Sequence, residues 1–518
     1  MQDTTLEAHR RLARRLTDPA CFPHAVSRVE LLETHISTLL LAGDYAYKLK
    51  KPLDLGFLDF TTLEKRRLCC EEEIRLNGRF SDSLYQGVSR IAGSAEQPRM
   101  DGKGEVMEYA VRMRRFPQDS RLDQVLLRGE LQPRHLDQLA DDLATFHHTQ
   151  AASDSLPTEL ASVDAQLGPV LENASQLLEI LADRDLLTRV ENLDRWMASE
   201  AQRLETLVGT RISTGMIREC HGDLHLENIV LLDDRPVPFD GIEFSAALRW
   251  IDVMNELAFL CMDLDYRGRR DASARILSRY LDATGDYDGI PLLRFYQVYR
   301  ALVRAKIQAI RLTDKTLAAA EHGRISKALA RYIGLAEACS RPGEVSLTVT
   351  CGLSGSGKST AALELIQRSG AIRLRSDVER KRLYGLHPMA RTDSAVAGDI
   401  YSRQATEATY AYLVKLAEHL LRAGWSVVVD AACLRRSERR LFQDLARQMQ
   451  IPYRLLACNA PVSTLKRRLR EREAARNDPS EADLAVLEHQ LTSFEPPDEE
   501  ELQQLHPDAT WYVEEQPG

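Results

Sequence analysis

Residues 345–350, Val-Ser-Leu-Thr-Val-Thr, form an apolar and β-branched run that leads through Cys351 into Gly352-Leu-Ser-Gly-Ser-Gly357-Lys358-Ser359, and a helical pattern follows. This is G-x-x-x-x-G-K-[ST] in a strand–loop–helix setting, the context that separates a phosphate-binding loop from a chance glycine cluster. The residue types follow from the chemistry. Glycines let successive backbone N–H groups turn inward around an anion with no Cβ in the way. The helix that opens near Lys358 aims its positive end at the same phosphates. Gly352, Ser354, Gly355, Ser356, Gly357, Lys358, Ser359 and Thr360 are the expected nucleotide-binding set. Lys358 is expected on the β/γ-phosphates of ATP and Ser359 on Mg²⁺. A loop of this kind follows the first strand of its domain, so a domain begins near Glu344. About 340 residues precede it, too many for a tail.

For 518 residues, a prior of roughly 150 per domain gives three or four compact units. The 44% hydrophobic and 28% charged content marks a globular chain rather than a disordered one. A net charge of −9 argues against wholesale nucleic-acid binding but leaves room for a local basic groove. The nine cysteines include no C-x-x-C pair, which points to neither a zinc site nor a disulfide framework. Idle thiols in a reducing cytosol fit that usage. No apolar run approaches the ~20 residues of a membrane span. The amino-terminal stretch carries Asp3 and Glu7 and no apolar core, so it reads as an amphipathic surface helix rather than a targeting peptide. A cytoplasmic protein without membrane contact is expected.

Before the loop, apolar runs at 29–32 and 38–41, a Gly43-Asp44 turn and Tyr45-Ala-Tyr-Lys48-Leu-Lys50 predict strands. Alternation puts Ala46, Lys48 and Lys50 on one face and Tyr45, Tyr47 and Leu49 on the other. Residues 61–80 read as a helix carrying Glu71-Glu72-Glu73, and 104–113 as a further strand. After Pro117 the helical period takes over, with Leu136, Leu139, Leu143 and Phe146 on one face. Within this region lies Cys-His221-Gly-Asp223-Leu-His-Leu-Glu-Asn228, then the apolar run 229–232 and a turn at Asp233-Asp234 leading to Asp240. That hairpin predicts that Asn228 and Asp240 approach each other as oxygen ligands for Mg²⁺. Asp223 is placed to orient or deprotonate a hydroxyl.

His221–Asn228 with Asp240 resembles the catalytic and metal-binding loops of the aminoglycoside phosphotransferase family, relatives of the protein kinases, and the resemblance runs over most of residues 26–335. It implies that Asp223 is the catalytic aspartate and that Asn228 and Asp240 hold Mg²⁺. Lys48 resembles the strand lysine on the α/β-phosphates and Glu72 its helix partner, with Lys50 or Lys51 and Glu71 or Glu73 as alternatives. His221 is expected to brace the loop, and Asp252 resembles the aspartate that ties it to the large lobe. The first hairpin, Glu33-Thr-His-Ile-Ser37, carries no G-x-G-x-x-G. Asp263 and Asp265 are candidates for gripping a polycationic substrate, or the end of a solvated helix.

Beyond the P-loop, strands at 371–375, 425–430 and 453–458 alternate with helical patterns, which predicts a parallel sheet with ligands at the strand carboxyl ends. Asp377 and Asp430 sit at such ends. This part resembles P-loop kinases of the polynucleotide kinase and zeta-toxin type, on GLSGSGKS, Ser376-Asp377-x-x-Arg380 and the arginine segment before Asp478. The resemblance implies Asp377 as general base on an acceptor hydroxyl, Arg380 on acceptor or phosphate, and Arg468, Arg472 and Arg476 as lid arginines. The same run also fits a solvated helix with i,i+4 pairing to Glu471 and Glu473. Asp430 would support Mg²⁺ through water or cap its strand. Few aromatics accompany the basic stretch, which weakens a polynucleotide acceptor.

The expected chain is multidomain: a bilobal protein-kinase-like α+β domain over 1–335 (small lobe about 20–115, helical lobe about 116–335), a linker at 336–344, and an α/β P-loop kinase domain over 345–518. The expected activity is transfer of the γ-phosphate of ATP to a hydroxyl acceptor, whether small molecule, sugar, nucleotide or polynucleotide end, from two Mg-ATP sites. The alternative is one active P-loop kinase or ATPase regulated by a non-catalytic kinase-like domain.

Overall fold

The computed structural model describes residues 2–56, 58–81, 83–149, 156–341, 343–388, 390, 400–475 and 482–510. The alternation read over residues 29–50 becomes β1 (Val29–Glu33), β2 (Ser37–Ala42) and β3 (Tyr45–Lys50), preceded by α1 (Gln2–Arg15) and followed by α2 (Leu63–Gly78). Strands β4 (Tyr85–Gly93), β5 (Pro98–Met100) and β6 (Val106–Arg114) complete an antiparallel sheet of order β1-β2-β3-β6-β4-β5. Only β6 of these last three was expected. β4 carries a glycine and a register shift between Tyr85 and Gly87, which breaks the period-two pattern that would have revealed it. Tyr47 and Leu49 face one core with Leu16 and Leu40, while Ala46 and Leu41 face another with Cys70 and Val111. With both faces covered, the two lysines on the Ala46 face are carried into the interior.

The helical region continues with α3 (Leu122–Leu127), α4 (Pro133–Thr149), α5 (Val163–Ile180) and α6 (Arg184–Ser213). Two small antiparallel pairs follow: β7 (Ile217–Glu219) with β10 (Trp250–Asp252), and β8 (Ile229–Leu232) with β9 (Arg235–Pro238). Helix α7 (Ala246–Arg249) lies between β9 and β10, and α8 (Val253–Tyr266), α9 (Arg270–Thr284), α10 (Ile290–Leu312) and α11 (Ala319–Ser340) come after them. This is the kinase-like α+β fold, a β-rich lobe followed by a helical one.

The last part is β11 (Leu347–Cys351), α12 (Lys358–Ser369), β12 (Ile372–Arg375), α13 (Ser376–Leu383), α14 (Arg403–Arg422), β13 (Val427–Asp430), α15 (Arg436–Met449), β14 (Tyr453–Ala457), α16 (Val462–Ala475), α17 (Leu484–Ser493) and α18 (Glu499–Leu502). The four strands pair in parallel in the order β12-β13-β11-β14. Strand β11 is buried throughout, which accounts for its unbroken apolar and β-branched composition. The chain divides by contact into two compact units, Met1–Gln176 with Ala198–Asp263, and Leu177–Met197 with Leu264–Gly518. Helix α9 therefore belongs with the P-loop sheet, packing on α12 and β12. Among the described residues no helix is long and apolar enough to cross a membrane, and all nine cysteines are free thiols.

Candidate functional site

In the first unit, Thr62 caps α2 by accepting the Lys65 N–H, and this fixes which residues face the sheet. The buried stripe is Arg66, Cys70, Glu73 and Asn77, at the i, i+4, i+7, i+11 spacing of one helix face. Glu73, and not Glu72, is therefore the partner of Lys48, whose Nζ lies 2.9 Å from Glu73 Oε1. Glu72 stands about 100° round the helix and pairs with Arg75 at 2.7 Å and Arg249 at 2.8 Å. Lys50 shares Glu73 and also contacts Glu243. Lys51 pins the first hairpin through Glu33 and the Thr34 carbonyl. Lys48 further contacts Asp240. Burial opposes its charge, but Asp240 and Glu73 hold its ammonium well above the usual lysine range. Glu243 was not singled out in the sequence, although it stands three residues past Asp240.

The loop between β7 and β8 is held from several sides. Glu256 accepts the His221 and Gly222 amides at 3.1 and 3.0 Å, and Asp263 accepts the Leu226 amide at 3.0 Å. Asp263 is thus a buried loop anchor rather than a substrate grip or a solvated helix end. Gly222 has φ +85°, and a Cβ there would stand 2.8 Å from the Leu248 carbonyl oxygen. His221 donates from Nε2 to the Phe239 carbonyl at 2.9 Å and accepts the Asp223 amide on Nδ1 at 3.3 Å. Burial lowers its pKa, which suits a neutral brace. Asp252 pairs with Arg211 through two bonds of 2.5 and 2.7 Å, tying β10 to α6.

Asn228 donates Nδ2 to the Asp223 carboxylate at 2.9 Å and carbonyl at 3.1 Å. Its carbonyl oxygen is thereby turned away as an acceptor. Phe239 N–H donates to the backbone carbonyl of Asn228 at 2.9 Å, and Asp240 is the next residue in the chain. Asp240 itself has φ +62°, with its amide donated to the Tyr85 hydroxyl at 2.9 Å. Lys48 joins Glu73 and Asp240, Asn228 joins Asp223, and Asp223 is near enough to Asp240 to oppose its charge; the oxygen donors of this cluster suit a hard divalent cation.

In the second unit, the loop after β11 has the phosphate-cradle shape. Gly352 has φ +143°, and a Cβ there would fall 2.2 Å from the Cys458 carbonyl oxygen. Lys358 donates to the Leu353 carbonyl at 2.8 Å, and enclosure pushes its pKa down. The Ser359 hydroxyl donates to Asp430 Oδ1 at 3.1 Å, because β13 lies directly beside β11 in the sheet. The other oxygen, Oδ2, is buried with no hydrogen-bond partner among the described residues, and burial raises the Asp430 pKa. The Oδ1 side, beside the serine hydroxyl, fits an oxygen-liganded cation, while Oδ2 faces Arg373 and Arg375 at 3.9 and 3.8 Å. Ser354 N–H is held by Gln490 of α17 at 2.8 Å, Ser356 Oγ is buried without a partner among the described residues, and Thr360 is exposed.

Asp377 is half-buried at the start of α13. Arg468 donates to the Gly355 carbonyl at 3.1 Å and so lies on the P-loop. Arg472 reaches the Ala482 carbonyl at 2.5 Å, and Arg476 lies outside the described residues. Arg380 is buried and donates to the Ile400 carbonyl at 2.8 Å and Thr406 Oγ1 at 3.2 Å, holding the start of α14. Behind β12, Arg373 and Arg375 bridge two acids. They lie 3.1 and 3.4 Å from Asp282 of α9 and 3.9 and 3.8 Å from Asp430 Oδ2. Tyr287, just after α9, donates to Glu379 of α13 at 3.1 Å. Sequence reasoning missed this network, since 91 residues separate Arg373 from Asp282.

A family model described as an AAA domain matches residues 347–497. The chain is 30% identical over 482 residues to the uncharacterized protein Rv2004c of Mycobacterium tuberculosis, a match covering 91% of this chain and 92% of that one. Among solved structures, a choline/ethanolamine kinase family protein from Mesorhizobium loti is 12% identical and covers 65% of this chain and 100% of its own, with a TM-score of 0.35. A gluconokinase from Sinorhizobium meliloti is 22% identical and covers 31% of this chain and 80% of its own, with a TM-score of 0.22.

Proposed function

The chain belongs to the same family as the mycobacterial Rv2004c protein, and from that premise we propose that it is an ATP-dependent phosphotransferase with two Mg-ATP sites, one in each unit. The observation that carries the proposal is the Ser359–Asp430 contact at 3.1 Å. It joins the loop serine to a strand-end acid, the pair by which P-loop enzymes hold the nucleotide's metal. The cluster of Lys48, Glu73, Asp223, Asn228 and Asp240 supports the second site.

In the first unit, Lys48 steadies the phosphates of ATP and is itself oriented by Glu73. Asn228 and Asp240 would hold Mg²⁺, which when bound neutralises charge on the transferred phosphoryl group. Asp223, with its side chain 34% exposed, orients the acceptor hydroxyl and takes its proton. In the second unit, Lys358 and the loop amides bind the β/γ-phosphates, and Ser359 and Asp430 would hold the metal. Asp377 takes the acceptor proton, and Arg468 stands on the loop where transferred charge develops. The acceptor is a hydroxyl compound in both cases, and a nucleic-acid end is one candidate for the second unit.

A second reading draws on the direct Lys48–Asp240 contact. A lysine that neutralises the metal-ligand aspartate suits a kinase-like half that senses nucleotide without turnover. One experiment separates the readings: the full chain, Asp223→Asn and Lys358→Ala are supplied with γ-labelled ATP, Mg²⁺ and a panel of nucleosides, oligonucleotides, sugars and aminoglycosides. Two catalytic sites require that each substitution abolish transfer to a different acceptor. Transfer that is insensitive to Asp223→Asn for every acceptor supports the sensor reading, and transfer that survives Lys358→Ala undiminished at all acceptors removes the P-loop site.

A further inference from the structure

Helix α1 turns Leu12 and Ala13 inward and its arginines outward. Leu12 and Leu16 seat α1 on the small-lobe core, while Arg11, Arg14 and Arg15 stay exposed. Between this helix, the start of α2 and the start of β6 lies a cavity of about 640 Å³. That is within the range of small-molecule sites, roughly 300–1,000 Å³. Its lining includes His9, Arg11, Arg14, Arg15, Arg66 and Glu108.

The polar groups of this cavity are unequally satisfied. Arg66 is paired, with Nε 2.9 Å from both Glu108 oxygens and Nη1 donating to the Phe60 carbonyl at 2.8 Å. Glu108 is thus neutralised in the floor. His9 is 4% exposed, and its Nε2 meets Thr38 Oγ1 at 3.1 Å. Its Nδ1 is buried with no hydrogen-bond partner among the described residues, a state that buried polar atoms rarely keep. Burial, with the charges of Arg66 and Lys51, lowers the imidazole pKa to about 4, so the ring adds no charge to the cavity. Arg11, Arg14 and Arg15 make no ion pair among the described residues, and the remaining acid of the lining is Glu96. Positive charge is therefore in excess at the mouth, and Leu12 and Met107 supply an apolar wall.

We propose that this cavity binds a small organic anion, a phosphate or carboxylate group joined to an apolar body, at a site separate from both nucleotide sites. The guanidinium groups of α1 meet the charge, and the apolar body lies on Leu12 and Met107. Arg66 and Glu73 share the buried stripe of α2, seven residues apart. The occupant thus touches the helix that holds Lys48 from its other end.

The test is calorimetry on the full chain with Mg²⁺ and a non-hydrolysable ATP analogue in excess, so that phosphate groups cannot report on the nucleotide sites. Phenyl phosphate and benzoate are the two probes, and the one that binds identifies the head group. One-site binding with a Kd at or below about 1 mM is expected for at least one of them. Arg11→Glu with Arg15→Glu should weaken it about tenfold or more, since two exposed attractions become repulsions. Ala8→Trp, from an exposed position on the cavity wall, should abolish it by filling the space. Both variants should melt as the wild type does. No binding by either probe at about 10 mM overturns the proposal, as does binding that survives both substitutions.

Discussion

Asp282→Asn should loosen strand β12 more than any other element of the sheet. Asp282 Oδ2 accepts from Arg373 at 3.1 Å and Arg375 at 3.4 Å, and the two arginines are only 7% and 9% exposed. Removing one charge from a buried pair costs ~3–5 kcal/mol, because the other charge is left uncompensated. The lower end applies here. Asp430 still faces both guanidinium groups at 3.9 and 3.8 Å, and asparagine keeps a carbonyl acceptor, so about 3 kcal/mol is expected. At 1.4 kcal/mol per decade, opening of β12 should become about a hundredfold more frequent. Amide hydrogen exchange on the full chain reads this directly, with residues 372–375 as reporter and β3 as internal reference. Unchanged protection of β12 would refute the argument, and so would an equal loss in β3.

Three further outcomes are expected. Glu73→Gln should destabilise the first unit by ~3 kcal/mol and weaken ATP binding, since it leaves two buried lysines short of a partner. Glu72→Gln, which breaks pairs with the half-exposed Arg75 and with Arg249, should cost less, about 1 kcal/mol, because Arg249 keeps Glu219 at 3.1 Å; chemical denaturation that reversed this order would refute the assignment of Glu73 as the lysine partner. Gly352→Ala should abolish nucleotide binding at the P-loop, because its Cβ would stand 2.2 Å from the backbone oxygen of Cys458, and equilibrium binding of labelled ATP to Asp240→Ala and Asp240→Ala/Gly352→Ala chains checks it. His9 supplies the pH dependence: its pKa is 6.5 unfolded and about 4 folded, so between these values the unfolded state binds more protons and stability falls as pH falls. The loss should reach about 3 kcal/mol at pH near 4. Denaturation curves of wild type and His9→Gln should therefore converge as the pH drops, and parallel curves would exclude this role.

The P-loop was legible because its function demands particular residue identities at fixed spacing within one short stretch. The matching geometry, Ser359 on Asp430, needed the sheet order, yet the placing of Asp430 at a strand end pointed toward it. Lys48 could be assigned to a face because strand side chains alternate with period two. Glu73 could not be chosen over Glu72 in the same way, since one residue of helical offset turns a side chain by about 100° and the deciding signal was the Thr62 cap. The acids that hold the loop, Glu256 and Asp263, carry no local signature, because a carboxylate accepting a distant backbone amide looks in sequence like any helix acid. The Asp282 network was hidden for the same reason. Arg380 reads as a ligand-binding arginine by position, and only the packing reveals its bonds to Ile400 and Thr406.

The grouping of residues 264–340 with the P-loop sheet bears on inheritance. The backbone leaves the first unit at residue 177, re-enters it at 198 and leaves again at 264, and each of these three crossings falls within a helix. Recombination that joined or exchanged the halves at residues 336–344 would give one product whose Arg373 and Arg375 had lost Asp282, and another with a surplus bundle of three helices. Descendants of such an exchange would begin with a defect of a few kcal/mol in the nucleotide sheet, a large share of what keeps a domain folded. Lineages carrying this arrangement are therefore expected to transmit the two units as one gene, with compensating changes at positions 282, 373 and 375 appearing together.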